Sequence, residues 1–89
     1  MIEKILKELK DNGIKVKSPL SKTQDYHCEA EFSVNFDSGI PSVDASFTFN
    51  NIPKDEEILK IEAVMSTYNS YLDSIYFEKD YTKLEFRVR

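Results

Sequence analysis

His27 is the single histidine of the chain and stands among Asp25, Cys28 and Glu29. These side-chain types could ligate a metal or pair a thiolate with an imidazole base. The surrounding pattern removes most of that chemistry. Residues 26 to 36, Tyr-His-Cys-Glu-Ala-Glu-Phe-Ser-Val-Asn-Phe, alternate apolar and polar side chains, as a strand does when successive side chains point to opposite faces. His27 and Cys28 then face opposite ways and share neither a ligand sphere nor a proton. The sequence predicts a solvated histidine and a core thiol, with no metal and no cofactor.

Glu29 and Glu31 share the polar face at a separation of about 6.8 Å along the strand, near the carboxylate spacings of glycoside hydrolysis. A flat, open sheet face provides no water-excluding pocket in which one carboxyl could be held protonated. The chain also lacks a Gly-rich phosphate loop, a Gly-x-Ser-x-Gly elbow and a spaced histidine cluster, and it has only two glycines. A protein that is not an enzyme is expected.

The formal net charge of −4 is unevenly spread. Residues 1 to 22 hold six lysines against three acids, residues 23 to 57 hold one lysine against eight acids, and residues 58 to 89 balance five against five. A central segment at −7 argues against direct contact with nucleic acid, whose phosphates need a basic surface. It suits a basic protein partner. Acidic strands can also imitate a phosphate backbone, but Glu29, Glu31 and Asp44 are sparse among neutral Ser, Thr and Asn. A complete imitation would recruit Asp25, Asp37, Asp55, Glu56 and Glu57 from the hairpin ends.

The elements that position these residues follow from periodicity. Ile2, Ile5, Leu6 and Leu9 fall at helical spacing, and Gly13 stops that helix. Ile14-Lys15-Val16-Lys17 alternates as a short strand whose lysines would blunt an edge, and residues 18 to 24 read as a loop. The strand at 26 to 36 forms a hairpin with a second alternating run at 43 to 49, through a turn at 37 to 42 that contains Gly39 and Pro41. Joining the apolar sets sets Phe36 opposite Val43, Val34 opposite Ala45, Phe32 opposite Phe47 and Ala30 opposite Phe49.

Pro53 and the acids at 55 to 57 mark a second helix beginning near 54. Ile58, Ile61, Val64, Met65, Tyr68, Tyr71, Leu72 and Ile75 then trace an apolar face over about five turns, roughly 30 Å. Tyr68 and Tyr71 read as core on that face, and Tyr76 and Tyr81 as freer. Leu84, Phe86 and Val88 alternate with charged residues in a terminal strand, which would pair with 75 to 78 through a Lys79-Asp80 turn. The expectation is an α+β fold in one domain spanning 1-89. An antiparallel sheet of four to five strands packs on two helices in the order α-β-β-β-α-β, with the C-terminal hairpin strand as an addition.

Cys28 is the only cysteine, which excludes a disulfide scaffold and suits a reducing, cytoplasmic compartment. No run has the length of a signal peptide's apolar region or of a membrane span.

The opening Met-Ile-Glu-Lys-Ile-Leu-Lys-Glu-Leu-Lys, followed by a short strand, an acidic hairpin and a second helix, resembles small acidic phage-encoded anti-CRISPR proteins. The resemblance is one of layout over most of the chain, and the terminal strand at 83 to 89 departs from it. It implies a stoichiometric inhibitor whose acids occupy the basic, DNA-binding groove of a CRISPR effector nuclease in the host cytoplasm. The expectation is therefore a protein-binding module, monomer or homodimer, contacting a basic partner through Asp25, Glu29, Glu31, Asp37, Asp44, Asp55, Glu56 and Glu57. The alternative is a dimeric structural or chaperone-like domain that pairs through exposed strand edges or the aromatic second helix.

Overall fold

A computed structural model of the chain describes residues 1–19, 25–35 and 42–89. The first apolar stripe forms helix α1 (Ile2–Asp11), which buries Ile5 and Leu9. Gly13 ends it at φ 81, a left-handed conformation that glycine adopts without a Cβ penalty. The Ile14 N–H donates to the Leu9 carbonyl at 2.9 Å and the Gly13 N–H to that of Lys10 at 2.9 Å. This Schellman pairing satisfies two carbonyls the helix end would otherwise orphan.

The remaining elements are β1 (Val16–Lys17), β2 (Cys28–Asn35), β3 (Ser42–Phe49), α2 (Asp55–Ser66), β4 (Ser70–Phe77) and β5 (Thr82–Val88). They build the expected α+β fold, with one five-stranded sheet in the order β1-β2-β3-β5-β4. Strand β1 runs parallel to β2, and the other pairs are antiparallel. Strands β3 and β4 therefore point the same way with β5 between them, and α2 carries the chain across that gap. The short strand of the sequence reading is confined to two residues. Lys15 and His27 tie it to β2: the His27 N–H donates to the Lys15 carbonyl at 2.8 Å, and the Lys15 N–H donates to His27 Nδ1 at 3.0 Å.

Both helices cover one sheet face. Cys28, Ala30, Val43, Ala45, Phe47, Phe49, Leu84 and Phe86 from the strands join Ile5, Leu9, Ile61, Val64 and Met65 from the helices in one buried cluster. Phe47 sits at its centre, fully buried. Its ring meets Phe32 edge-on at 5.8 Å and Phe86 edge-on at 5.4 Å, the geometry that aromatic quadrupoles favour.

The hairpin keeps its predicted faces but not its predicted register. Ala30 pairs with Phe47, Phe32 with Ala45, Val34 with Val43, Ser33 with Asp44 and Glu31 with Ser46. A shift of two residues leaves every side chain on its own face, so alternation does not distinguish the two registers. Size does: the observed pairing puts Phe32 and Phe47 each opposite an alanine and leaves the two rings to meet diagonally. Phe36 and the turn residues Asp37, Gly39 and Pro41 lie outside the described residues.

The second helix is shorter than its apolar face suggested. It ends at Ser66, and residues 70 to 77 are a strand. Asn69 makes the break at φ 57, a left-handed conformation that asparagine tolerates better than most residues. The misleading signal comes from an irregularity between Leu72 and Ser74, which sets Leu72 and Ile75 on one side of β4 although they are three residues apart. A bulged strand thus imitates helical spacing. Tyr68 is buried as expected, whereas Tyr71, read as core, is exposed.

Ser70 opens β4 with its side chain fully buried and its Oγ without a protein hydrogen-bond partner. A buried hydroxyl left unpaired costs about 1 to 3 kcal/mol. Ser70→Ala is accordingly expected to raise the unfolding free energy by about 1 kcal/mol or more in urea titrations. A loss of stability would show that the hydroxyl is bound to something that stabilises the fold.

Candidate functional site

Among the described residues no element covers the sheet face away from the helices, and the sheet order decides what stands on it. One transverse row runs Lys17, Glu29, Thr48, Lys83, Tyr76, and the next runs Glu31, Ser46, Glu85, Ser74. With Asp44 and Arg87 on the same face, four acids alternate with three cations. Lys17 reaches Glu29 at 3.6 Å, and Glu85 takes Lys83 at 3.0 Å and Arg87 at 3.8 Å. The Glu85 hydrogen bond and charge hold the Lys83 ammonium above the usual lysine range. Between these rows lies a shallow trough of about 360 Å³, bordered by Lys17, Pro19, Glu29, Glu31, Ser46, Thr48 and Lys83. It is a surface of mixed sign.

The eight acids expected at one contact surface are spread over several elements. Asp25 precedes β2 and pairs with Lys15 Nζ at 2.7 Å, which holds its carboxyl below the usual range, mainly through that hydrogen bond. Glu29 accepts the Tyr26 hydroxyl at 3.3 Å as well as facing Lys17. Glu31 stands exposed on the open face, and Asp44 accepts the Val88 N–H at 2.8 Å, joining β3 to β5.

Asp55, Glu56 and Glu57 occupy the first turn of α2, in the layer on the other side of the sheet. The negative charges there favour the positive end of the helix dipole, and Glu57 also accepts the Lys54 N–H at 3.1 Å, half of a capping box. Asp37 lies outside the described residues. Glu29, Glu31 and Asp44 share a face, and the α2 acids do not join them. The sequence showed Lys83, Glu85 and Arg87 alternating, but not that β5 would be placed beside β3.

Strand β2 begins at Cys28, two residues later than the alternation from 26 suggested, and His27 lies exposed just before it while Cys28 is buried. His27 Nδ1 accepts a backbone hydrogen bond, which places its proton on Nε2. Cys28 is buried, and desolvation first, then the charge of Glu57, pushes its thiol up to about 12. That is far from the lowered pKa of a nucleophilic cysteine. Among the described residues no three His, Cys, Asp or Glu side chains gather closely enough to hold a metal ion.

A different feature concentrates at the sheet's edge. The outer strands are β1 and β4. Strand β1 has two residues, with Lys15 before it and Pro19 shortly after. Strand β4, Ser-Tyr-Leu-Asp-Ser-Ile-Tyr-Phe, has eight, none of them Lys, Arg or Pro. Along it Tyr71, Ile75, Tyr76 and Phe77 are 40, 37, 48 and 66% exposed, with Tyr81 beside them at 42%. Natural sheets usually protect a long edge with charge, proline or a covering element. The sequence signal was present in the aromatic run at 71 to 77, but reading that run as helix concealed its edge.

The molecule is thus a small α+β protein, a five-stranded sheet backed on one face by two helices, with a mixed-charge open face and an aromatic free edge. It is 64% identical over 87 residues to the uncharacterized protein MJ0339 of Methanocaldococcus jannaschii, a match that covers 98% of this chain and 81% of the relative. The chain belongs to the same family as that protein. No family model matches the chain, and no solved structure matches it. Among the described residues no helix is long and apolar enough to cross a membrane.

Proposed function

We propose that this protein is a non-enzymatic protein-binding module whose contact element is the free edge of β4 together with Tyr71, Ile75, Tyr76 and Phe77. The observation that carries the reading is that long aromatic edge, whose only charge is Asp73 at the Leu72/Ser74 irregularity. An unpaired edge offers backbone donors and acceptors to an added strand, and the flanking side chains supply the apolar contact. Aromatic residues are also enriched at interfaces. The buried, unreactive thiol and the absence of any cysteine to pair with it support a cytoplasmic setting.

The inhibitor form of the module, acids seated in the basic groove of a CRISPR effector nuclease, draws on the −7 segment from 23 to 57. Its support is thinner at the surface, where Lys17, Lys83 and Arg87 interleave with the acids and Asp25, Asp44 and Glu57 are engaged within the fold. Capture experiments distinguish the two. With the protein immobilised in a cell extract, Phe77→Lys is expected to lose the bound partner and the double variant Glu29→Lys, Glu31→Lys to retain it. The reverse pattern, or equal capture by all three baits, would overturn the edge reading.

A further inference from the structure

We propose that a second copy of this chain occupies the free edge of β4. The two β4 strands pair antiparallel about a two-fold axis, so that two five-stranded sheets continue into one. The proposal rests on the reading of β4 as the contact element and names its partner.

A closed two-fold contact requires a surface that complements itself, and β4 meets that requirement in three respects. Its eight residues, about 27 Å of edge at the usual rise, contain no Lys, Arg or Pro and a single charge, Asp73 at the Leu72/Ser74 irregularity, whereas β1 at the opposite edge is short and flanked by lysines and a proline.

The charges at its two ends are opposite. At the start of β4, Tyr71 pairs with Arg87, and Arg89 lies 4.8 Å from the Tyr71 ring with its N–H on the Asn69 carbonyl at 3.1 Å. At the far end is the turn Glu78-Lys79-Asp80, closed by the Glu78 N–H on the Tyr81 carbonyl at 2.9 Å, with acids outnumbering the lysine. Antiparallel pairing sets the arginine end of each copy against the Glu78 and Asp80 end of the other, at both extremities of the contact. Parallel pairing would oppose like charges and leave an open assembly.

The exposed area is also of the right order. At roughly 200 Å² for a whole aromatic side chain, the exposures of Tyr71, Tyr76, Phe77 and Tyr81, at 40, 48, 66 and 42%, leave about 400 Å² per copy. Ile75 and the backbone edge add to this. The total lies at the small end of specific interfaces, near half to two thirds of the usual ~800 Å² per partner. An interface of this size suits a reversible rather than an obligate dimer.

Sedimentation equilibrium of the whole chain up to about 1 mM should show monomer and dimer in exchange. Phe77→Lys, at the most exposed aromatic position, should weaken the dimer at least about tenfold. The double variants Arg87→Glu, Arg89→Glu and Glu78→Arg, Asp80→Arg should each be monomeric alone, with circular dichroism unchanged, and should associate when mixed. Rescue on mixing is a result that mere loss of folding does not produce. A wild-type chain monomeric throughout, or charge variants that associate no better mixed than alone, would overturn the proposal. If the wild-type chain stays monomeric while its capture of another protein still depends on Phe77, the homodimer is excluded and the edge reading stands.

Discussion

Phe47→Ala is expected to lower the unfolding free energy by about 3 to 5 kcal/mol, the usual cost of emptying a buried phenylalanine site. Phe47 is fully buried and holds Phe32 and Phe86 edge-on at 5.8 and 5.4 Å, so its loss removes two aromatic contacts together with the buried area. Chains of this length have total stabilities of roughly 4 to 13 kcal/mol, and the variant should stand near the edge of folding. Urea titration followed by circular dichroism reads the effect directly. A loss below about 1 kcal/mol would mean that the sheet collapses around the vacancy and that Phe47 does not organise the core.

The second large effect is alkaline. Burial pushes the Cys28 thiol from 9.0 to about 12. Burial, followed by the Glu8 carboxylate that accepts the Tyr68 hydroxyl at 3.1 Å, pushes Tyr68 from 10.0 to about 12. In both groups the folded state favours the protonated form and the unfolded chain releases its proton at the ordinary value. Their contribution is fully present below pH 9. Above it the unfolded state binds fewer protons than the folded one, so stability falls as pH rises.

The slope approaches about 1.4 kcal/mol per pH unit for Cys28 within its window. For Cys28 this amounts to about 4 kcal/mol between pH 9 and 12, with Tyr68 adding to the slope above pH 10. Urea midpoints measured from pH 8 to 11 should decline accordingly, and Cys28→Ala should flatten the part between 9 and 10. A stability that stays level across that range would show that the thiol is not desolvated.

Much of this architecture is legible in the residues. The stripe Ile2, Ile5, Leu6, Leu9 and the glycine after it give α1 and its end, because local spacing and a left-handed glycine suffice. The two-residue period read from 26 to 36 and 43 to 49 gives the hairpin faces and sets His27 and Cys28 apart. The Lys79-Asp80 turn does place β4 and β5 as a hairpin.

What escapes is set by packing at a distance. Large-against-small pairing, Ala30 with Phe47 and Phe32 with Ala45, selects a register that alternation leaves degenerate. The bulge at Leu72/Ser74 gives β4 a three-residue step that belongs to helices. The position of β5 between β3 and β4 depends on a crossover through α2. That position sets Lys83 and Arg87 among the hairpin acids, and it makes β4 the outer strand. The acidic face is therefore partly neutralised by residues about forty to sixty positions away in sequence, and the aromatic edge becomes visible only once the second helix ends at Ser66.

If β4 is where this protein meets its partner, the edge amides of that strand change their exchange on association. Amide hydrogen exchange along the chain, comparing the dilute monomer with the associated state, tests it most directly, because strand addition protects the edge amides it covers. Exchange within 70 to 77 should slow on association, with β2 and the open-face residues of β3 unchanged. Slowed exchange across 28 to 35 and 42 to 49 with β4 unaltered would contradict it and return the contact to Glu29, Glu31 and Asp44.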